Sequence, residues 1–308
     1  MAVAARELAG VEVRQPRRLF ARRRLTGLWF VLPAVAFITV FFFVLLVMAV
    51  WVSFHDWPLF GATTFAGLDN YATLFQDEAF RRGLWFTTQY ALLVTPPIFV
   101  LGFGLALLVN RGLPGIGFLR TVFFLPTVVG FAAACLLWFY MLNDQIGVIN
   151  DILRRLGMIG NSLLWFANYN TALLIIIVMV VWKTVGGTML LLLIGMQSIP
   201  SDLYEAAKVD GAGAIDRLRT ITLPLLKRTF ALALVLSITG SYLAFDQFYI
   251  LTRGGPRNQT TSIVYEITNT AFNAFDLGYA TTMSIALLVV LVVLSAVQIF
   301  LLRDSTQF

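Results

Sequence analysis

The sequence predicts an all-α, polytopic transmembrane protein with six helices, and three observations carry this prediction. First, 59% of the 308 residues are hydrophobic and only 12% are charged, whereas about a quarter of the residues of soluble domains are charged. Second, the apolar residues form long, nearly uncharged blocks in place of the amphipathic patterns of a soluble core. Third, lysine and arginine are distributed unevenly between alternate connections of these blocks.

Six blocks are long enough to cross a bilayer, whose core of roughly 30 Å requires about 20 apolar residues in a helix. The predicted spans are residues 28–53, 85–110, 121–142, 171–197, 229–252 and 279–302. Continuous runs favour helices over a barrel, whose strands are shorter and alternate. The first block is longer than the apolar core of a signal peptide, about 7–15 residues, and no small-residue cleavage site follows it. It is therefore interpreted as a retained span.

The basic residues set the predicted orientation, because lysine and arginine accumulate on the cytoplasmic side. With the N-terminus inside, 15 of them are cytoplasmic and six are outside, while Lys183 lies within a span. Both termini are then cytoplasmic, with a basic tail at 1–27, which includes Arg22–Arg24, and a short tail at 303–308. These basic segments account for the net charge of +6, so the charge does not indicate binding to nucleic acid. We expect the chain to lie in a lipid bilayer.

Little in the sequence points to catalysis or metal binding. Cys135 is the one cysteine and His55 is the one histidine. An internal disulfide and a Cys/His metal cluster are therefore excluded. We predict no catalytic residues and no metal site.

The connection between the fourth and fifth spans, 198–228, contains the first half of a helical motif. Pro200 ends the fourth span, and Ser201 or Asp202 can begin a new helix. Glu205 follows Asp202 at the spacing of a capping box. Asp210 and Gly211 then break this helix, because glycine tolerates the left-handed conformation of a helix end.

A second short helix is predicted from Ala212, with Ile215, Leu218 and Ile221 on one face and Pro224 as its end. Two short helices therefore meet at a glycine corner on the cytoplasmic side. An apolar ridge with charged flanks suits insertion into a groove on a partner protein. The alternative is a helix that lies on the lipid headgroups, and composition does not decide between the two.

This stretch resembles the EAA loop of ABC importer permeases, with the pattern Glu-Ala-Ala, two residues, Asp-Gly-Ala, eight residues and Ile-x-Leu-Pro. The matching positions are Glu205, Ala206, Ala207, Asp210, Gly211, Ala212, Ile221, Leu223 and Pro224. Leu218 stands where the family often has phenylalanine. The resemblance implies the type I importer fold and a coupling helix that docks into a cleft of a separate ATPase, with Glu205 facing a basic residue of that subunit.

The chain has no G-x-x-x-x-G-K-[ST] phosphate loop. We therefore predict a transport subunit that is not itself an enzyme and binds no cofactor, while ATP and Mg²⁺ bind the partner ATPase.

A second resemblance narrows the cargo. Residues 245–256, Phe-Asp-Gln-Phe-Tyr-Ile-Leu-Thr-Arg-Gly-Gly-Pro, are similar to a segment of sugar importer permeases related to the maltose transporter. Residues 67–71, Leu125–Pro126 and 182–187 agree with the same group, so the likeness covers about 28–302. It implies the six-span first subunit of a permease pair in a bacterial cytoplasmic (inner) membrane.

The resemblance also implies sugar contacts near the middle of the third, fourth and fifth spans. The corresponding positions are Thr127, Phe131, Lys183, Thr184, Gly187, Gly240, Ser241, Ala244 and Asp246. Lys183 either donates to sugar hydroxyls or pairs with a carboxylate or carbonyl at a helix contact. Asp246 either contacts sugar or accepts hydrogen bonds from amides of the Gly254–Gly255 turn. A charge inside a span costs about 2.5–3.5 kcal/mol, so each should face protein or water.

The implied assembly contains a second permease, two ATPase subunits and an extracytoplasmic sugar-binding protein. The alternative from another class is a secondary transporter or channel without an ATPase, in which internal repeats are common; none is seen in this sequence. Glycerol phosphate, another polyol derivative and a glycoside lipid precursor are alternative cargoes.

Overall fold

The computed structural model describes residues 29–111 and 114–302. The predicted tails, 1–27 and 303–308, and the basic cluster Arg22–Arg24 lie outside the described residues. By its internal contacts, the chain divides into two units, Met1–Trp51 and Val52–Phe308.

Helices form about three quarters of the described chain. The first, α1 (Trp29–Ser53), contains a π-helical stretch at Thr39–Val44. The later helices are α2 (Asp69–Gln76), α3 (Glu78–Val109), α4 (Ile116–Val128), α5 (Phe131–Met141), α6 (Val148–Arg155), α7 (Tyr169–Gln197), α8 (Ser201–Val209), α9 (Ala214–Leu225), α10 (Lys227–Tyr242), the π-helical turn α11 (Phe248–Thr252), α12 (Ile263–Phe272) and α13 (Leu277–Leu302).

Four of these helices, α1, α3, α7 and α13, are each long and apolar enough to cross a membrane. The pairs α4–α5 and α9–α10 also qualify when each pair is taken as one bent span, which gives up to six crossings among the described residues. The number agrees with the six apolar blocks of the sequence.

A small antiparallel ribbon follows α1. It joins β1 (His55–Asp56) to β2 (Thr64–Phe65), with His55 opposite Phe65. The Asn70 side-chain amide donates to the carbonyls of Ser53 and His55, at 3.1 and 3.0 Å. This hydrogen bonding connects α2 to the chain that leads into the ribbon.

Helix α3 begins seven residues before the predicted start of the second span, because a polar residue caps it. The Asp77 carboxylate accepts from the backbone N–H groups of Ala79 and Phe80, at 2.7 and 3.3 Å, as expected of an N-cap. Its other oxygen accepts from the Tyr279 hydroxyl at 2.6 Å. The first residues of α3 and α13 are thereby joined at one end of the bundle, called the outer end after the predicted orientation.

The predicted third span, 121–142, is not one continuous helix. Helix α4 ends at Val128, and α5 leaves it at an angle of 93°. Val129 and Gly130 have extended ψ angles of 135° and 141°, which interrupt the helix. A hydropathy pattern does not register this break, because both halves are equally apolar.

The predicted fifth span, 229–252, also differs. Helix α10 ends at Tyr242, before the separate turn α11. The Ser262 hydroxyl donates to the Ala244 carbonyl at 2.7 Å, which anchors the non-helical stretch to the start of α12. Helix α12 was not predicted.

The core is built on α3 and α7, which run parallel and pack against each other at both ends. Glycine permits the closest approach to α4: a Cβ on Gly186 would collide with the backbone of Phe123 and Phe124. Buried residues of α3, α10, α12 and α13 form a further cluster on the other side of α3. The two bent helix pairs are thus held against a rigid central pair.

Candidate functional site

The α8–α9 segment (residues 201–225) contains the predicted glycine corner. Gly211 has a φ of +80°, a conformation that costs other residues roughly 1–2 kcal/mol. Its N–H donates to the Lys208 carbonyl at 3.1 Å, and the Ala212 N–H donates to the Ala207 carbonyl at 2.8 Å. These two bonds satisfy carbonyl groups at the end of α8. The corner prediction is therefore confirmed.

The predicted caps of this segment are wrong in detail. Helix α8 begins at Ser201 with Pro200 before it, and no side chain caps it, so the expected box of Asp202 and Glu205 is not formed. The second helix begins at Ala214, where the Asp216 carboxylate accepts from the Gly213 N–H at 3.1 Å. A capping bond of this kind therefore forms at the start of α9, whereas the sequence predicted one at the start of α8.

Pro224 does not end the second helix. It lies inside the last turn of α9, and the bend of 63° into α10 comes after Leu225. Proline leaves a carbonyl of the preceding turn without its N–H partner. The helix accommodates it with a π-helical stretch at Leu218–Thr222, a wider turn that often occurs at functional sites.

Most of the matched side chains of this segment face outward. Glu205, Ala206, Asp210, Gly211, Leu223 and Pro224 are exposed, while Ala207, Ala212, Leu218 and Ile221 are half-buried. Val209 is 88% exposed and Ile215 is 64% exposed. The Glu205 carboxylate makes no ion pair with any residue of the described chain. The segment therefore presents a free carboxylate between exposed apolar side chains.

The α8–α9 segment is braced internally, and the residues that directly follow it pack against α7. The Tyr204 hydroxyl lies 3.0 Å from the Thr222 hydroxyl oxygen, which connects α8 to α9. Leu226 is fully buried. A Cβ on Gly195 would lie 2.8 Å from Leu226 Cδ2 and 2.9 Å from Thr229 Cγ2. The junction of α9 and α10 is therefore packed closely against α7 at Gly195.

A cavity of about 290 Å³ lies between α3, α5, α7 and α10. It is lined by five of the nine residues predicted to contact cargo, namely Phe131, Thr184, Gly187, Gly240 and Ser241. We call it the central cavity. Gly187 and Gly240 have no side chains, and a larger residue at either position would reduce the volume of the central cavity.

Polar groups at the outer end of the central cavity were missed by the sequence reading. The buried Gln247 amide donates to the buried Tyr90 hydroxyl at 3.2 Å, and both line the cavity with Ser237 and Thr188. Tyr90 belongs to an apolar block, and nothing in the sequence connects it with Gln247. Across residues 29–111 and 114–302, no three His, Cys, Asp or Glu side chains form a group that could hold a metal ion.

Four of the predicted cargo residues do not line the central cavity. Ala244 is buried in the core, and Thr127 and Lys183 bond to each other. Asp246 is half-buried. Its predicted bonding to the glycine turn is wrong, because the N–H groups of Gly254 and Gly255 donate to the carbonyls of Phe248 and Thr252.

Lys183 stabilises the end of α4 at the break in the third span. Its ammonium donates to the Thr127 carbonyl at 2.9 Å and lies 5.7 Å from the centre of the Phe131 ring. A cation is favourable at a helix C-terminus, where carbonyl groups lack partners. Only 6% of the residue is exposed. Lys183 was predicted either to donate to sugar hydroxyls or to pair with a carboxylate or carbonyl at a helix contact. Its contacts favour pairing with a carbonyl.

Replacing Lys183 by methionine is expected to destabilise the protein by about 1–3 kcal/mol, because the part-buried Thr127 carbonyl then loses its donor. Thermal unfolding in detergent measures the effect. The matched control is Thr184→Val at the next position, whose hydroxyl bonds the Val180 carbonyl of its own helix. The control should unfold close to the wild-type temperature. Unchanged stability of Lys183→Met, combined with a raised KM for uptake, would favour the sugar-donor interpretation instead.

The comparisons with known proteins agree with this architecture. Residues 79–304 match the family described as binding-protein-dependent transport system inner membrane component. The chain is 34% identical to the trehalose/maltose transport system permease protein MalF of Thermococcus litoralis, over 92% of this chain and 95% of the relative. It is also 34% identical to the sn-glycerol-3-phosphate transport system permease protein UgpA of Agrobacterium fabrum, over 87% and 91%.

The fold is similar to that of a chain in the crystal structure of a bacterial ABC transporter involved in the import of the acidic polysaccharide alginate. The TM-score is 0.81 at 24% identity, over 94% of this chain and 100% of that chain. The predicted fold class, that of an ABC importer permease, is thereby confirmed. From the family match, the two relatives and this fold, the chain is a multi-pass membrane permease that belongs to the family of binding-protein-dependent transport system inner membrane components.

Proposed function

We propose that this chain forms one half of the translocation pathway of an ATP-driven sugar importer and that the α8–α9 segment couples it to a separate ATPase. The observation that carries the proposal is the construction of this segment. An exposed carboxylate and exposed apolar side chains are held on two short helices by the Gly211 corner and the Tyr204–Thr222 contact. Such a compact ridge fits a groove on a partner.

Coupling would run from this segment into the central helices. Leu226 and Thr229, which directly follow α9, are in close contact with Gly195 of α7. A displacement of α9 would reach α7 through this contact, and α7 lines the central cavity. ATP binds the partner ATPase together with Mg²⁺, and ATP binding and hydrolysis supply the free energy. The two states of the ATPase would dock with different affinities to the two conformations of the pore. This difference in affinity would shift the pore from one conformation to the other.

Sugar is the proposed cargo because a relative at 34% identity is named for trehalose and maltose. The central cavity offers hydroxyl groups, one amide and aromatic faces, which together suit a polyhydroxylated ligand. Glycerol phosphate is the second candidate, supported by the relative named for that compound. Competition of unlabelled trehalose, maltose and glycerol 3-phosphate with uptake in cells distinguishes the two.

The complete importer would contain a second permease, two ATPase subunits and an extracytoplasmic sugar-binding protein. The second permease would complete the lining of the central cavity. In this arrangement the α8–α9 segment and both termini are cytoplasmic, in the inner membrane of a bacterium. The docking role of the segment does not depend on which sugar is carried.

The proposal predicts that Glu205→Gln uncouples the transporter. Truncating one partner of a buried, hydrogen-bonded charge pair at an interface costs about 2–5 kcal/mol, so uptake should fall at least about tenfold and less ATPase should copurify. The matched control is Asp202→Asn, another exposed carboxylate in the first turn of the same helix. Equal uptake by Glu205→Gln and wild type, in membranes that contain equal amounts of each, would contradict the coupling role.

A further inference from the structure

A second cavity, of about 490 Å³, lies at the outer end of the bundle, between the first turns of α3, the start of α7, the connection after α11 and helix α12. We call it the outer cavity. It lies apart from the central cavity, and none of its lining residues belongs to the positions predicted to contact cargo.

Aromatic rings form much of its wall. Trp85, Tyr169 and Tyr265 line it, and Trp85 is 64% exposed. The ring of Tyr265 is held by Phe245 and Tyr249, with centroid distances of 6.4 and 6.0 Å, and its hydroxyl donates to the Arg253 carbonyl at 3.2 Å. The three rings offer flat apolar faces to a ligand. The Tyr265 ring is already held in place, so a ligand that binds it loses little conformational entropy there.

Polar side chains without partners converge on the same space. Gln89, Glu266 and Arg257 line the outer cavity, and none of these side chains has a hydrogen-bond partner within the described chain. Gln89 and Glu266 are half-buried. Burial raises the pKa of the Glu266 carboxyl, the nearby Asp77 adds to this, and the Arg82 guanidinium acts in the opposite direction. Half-buried polar groups that are unpaired within the chain are available to a ligand.

The connection that closes the outer cavity is held in an unusual backbone conformation. Arg257 and Asn258 have φ angles of 52° and 58°, which non-glycine residues seldom adopt. The fully buried Thr260 holds this connection, because its hydroxyl oxygen lies 2.8 Å from Thr252 Oγ1 and 2.5 Å from the Gly255 carbonyl oxygen, within hydrogen-bonding distance of both. Strained backbone that is so strongly determined is concentrated at binding sites.

One layer of aromatic side chains separates the two cavities. Phe86 lines the outer cavity and Tyr90 lines the central cavity, one turn further along α3. The Phe248 ring lies 5.1 Å from Phe86 and 5.0 Å from Tyr90, and all three residues are buried. Movement of this layer would join the outer cavity to the central one.

We infer that the outer cavity is a carbohydrate subsite, at which sugar is held before it passes the Phe86–Phe248–Tyr90 layer into the central cavity. Aromatic faces pack against the C–H surface of a sugar ring, while the Gln89 amide, the Glu266 carboxyl and the Arg257 guanidinium pair with its hydroxyl groups. The inference rests on the proposed function, since it takes sugar as the cargo and the outer end as extracytoplasmic.

Equilibrium binding of radiolabelled maltose and trehalose to the whole importer in nanodiscs tests the inference. A Gly187→Trp background fills the central cavity, so that the remaining binding reports on the outer one. In this background, Gln89→Leu should weaken sugar binding about tenfold, because the ligand loses one hydrogen bond to the half-buried amide. Thr268→Val on α12, whose hydroxyl bonds the Val264 carbonyl and which does not line the cavity, is the control and should bind as the background does.

A second measurement avoids the blocked background. Maltose or trehalose should change the tryptophan fluorescence of the wild-type importer, and Trp85→Phe should remove most of that change. Binding in the Gly187→Trp background that Gln89→Leu leaves unaltered, or a fluorescence change of which Trp85→Phe removes none, overturns the inference. Loss of the signal when phosphatidylglycerol is added to the nanodiscs also overturns it and assigns the cavity to a lipid headgroup. Coupling through Glu205 is measured separately by uptake, so either idea can fail alone.

Discussion

Replacing Gly211 by valine is expected to abolish ATP-dependent uptake while the protein still inserts into the membrane. Gly211 has a φ of +80°, and for a β-branched residue this conformation is a strong outlier. Relief of the strain would rotate α8 against α9 and displace Glu205 from its position relative to the exposed apolar side chains. Uptake of labelled sugar by cells, normalised to the amount of protein in the membrane, measures the effect.

The control for this prediction is Gly211→Asn at the same position. Asparagine adopts the left-handed conformation more readily than other non-glycine residues, and open space surrounds the Gly211 Cα where the new Cβ would lie. This variant should retain most of the uptake. Equal loss in both variants would show that the effect does not come from the backbone angle.

Replacing Gly186 by valine is expected to prevent stable folding. A Cβ at this position collides with backbone atoms of Phe123 and Phe124, and a backbone contact cannot be relieved by a change of rotamer. Overpacking of a core costs about 1–3 kcal/mol and sometimes more. Because α4 as a whole would have to move, we expect the upper part of that range or beyond. The yield of monodisperse protein in size-exclusion chromatography should fall sharply.

The neighbouring Gly187 supplies the control. A Cβ there would lie 3.5 Å from Thr127 Cγ2, an ordinary van der Waals contact. Gly187→Ala should therefore give a normal yield of folded protein, even where it alters uptake because it lines the central cavity. Normal yield and thermal stability of Gly186→Val would contradict the close packing of α4 against α7.

The sequence predicted the elements that depend on local chemistry. The apolar blocks correspond to α1, α3, α7 and α13 and to the two bent pairs, because the length of an apolar run is sufficient to identify a candidate span. The Gly211 corner was also predictable, since helix ends favour glycine for a reason local to the backbone. The resemblance to known permeases added five residues that line the central cavity.

The features that sequence reasoning missed depend on contacts between distant segments. The right-angled break at Gly130 is invisible to hydropathy, and the lysine that stabilises it is 53 residues away along the chain. The Tyr90–Gln247 pair joins residues 157 positions apart. Helix α12 is too short for a span, and it is held in place by contacts of Thr87 with the Ile263 N–H and of Ser262 with the Ala244 carbonyl.

Site-directed labelling of the α8–α9 segment tests the coupling account most directly. Val209 is 88% exposed, and the native Cys135 is buried, so Val209→Cys introduces one accessible thiol among the described residues. A membrane-impermeant maleimide should label it in inside-out vesicles only, and a short bifunctional reagent should crosslink it to the ATPase subunit. Labelling from the outer face, or full accessibility with no crosslink in the assembled importer, would contradict a docking role at the cytoplasmic surface.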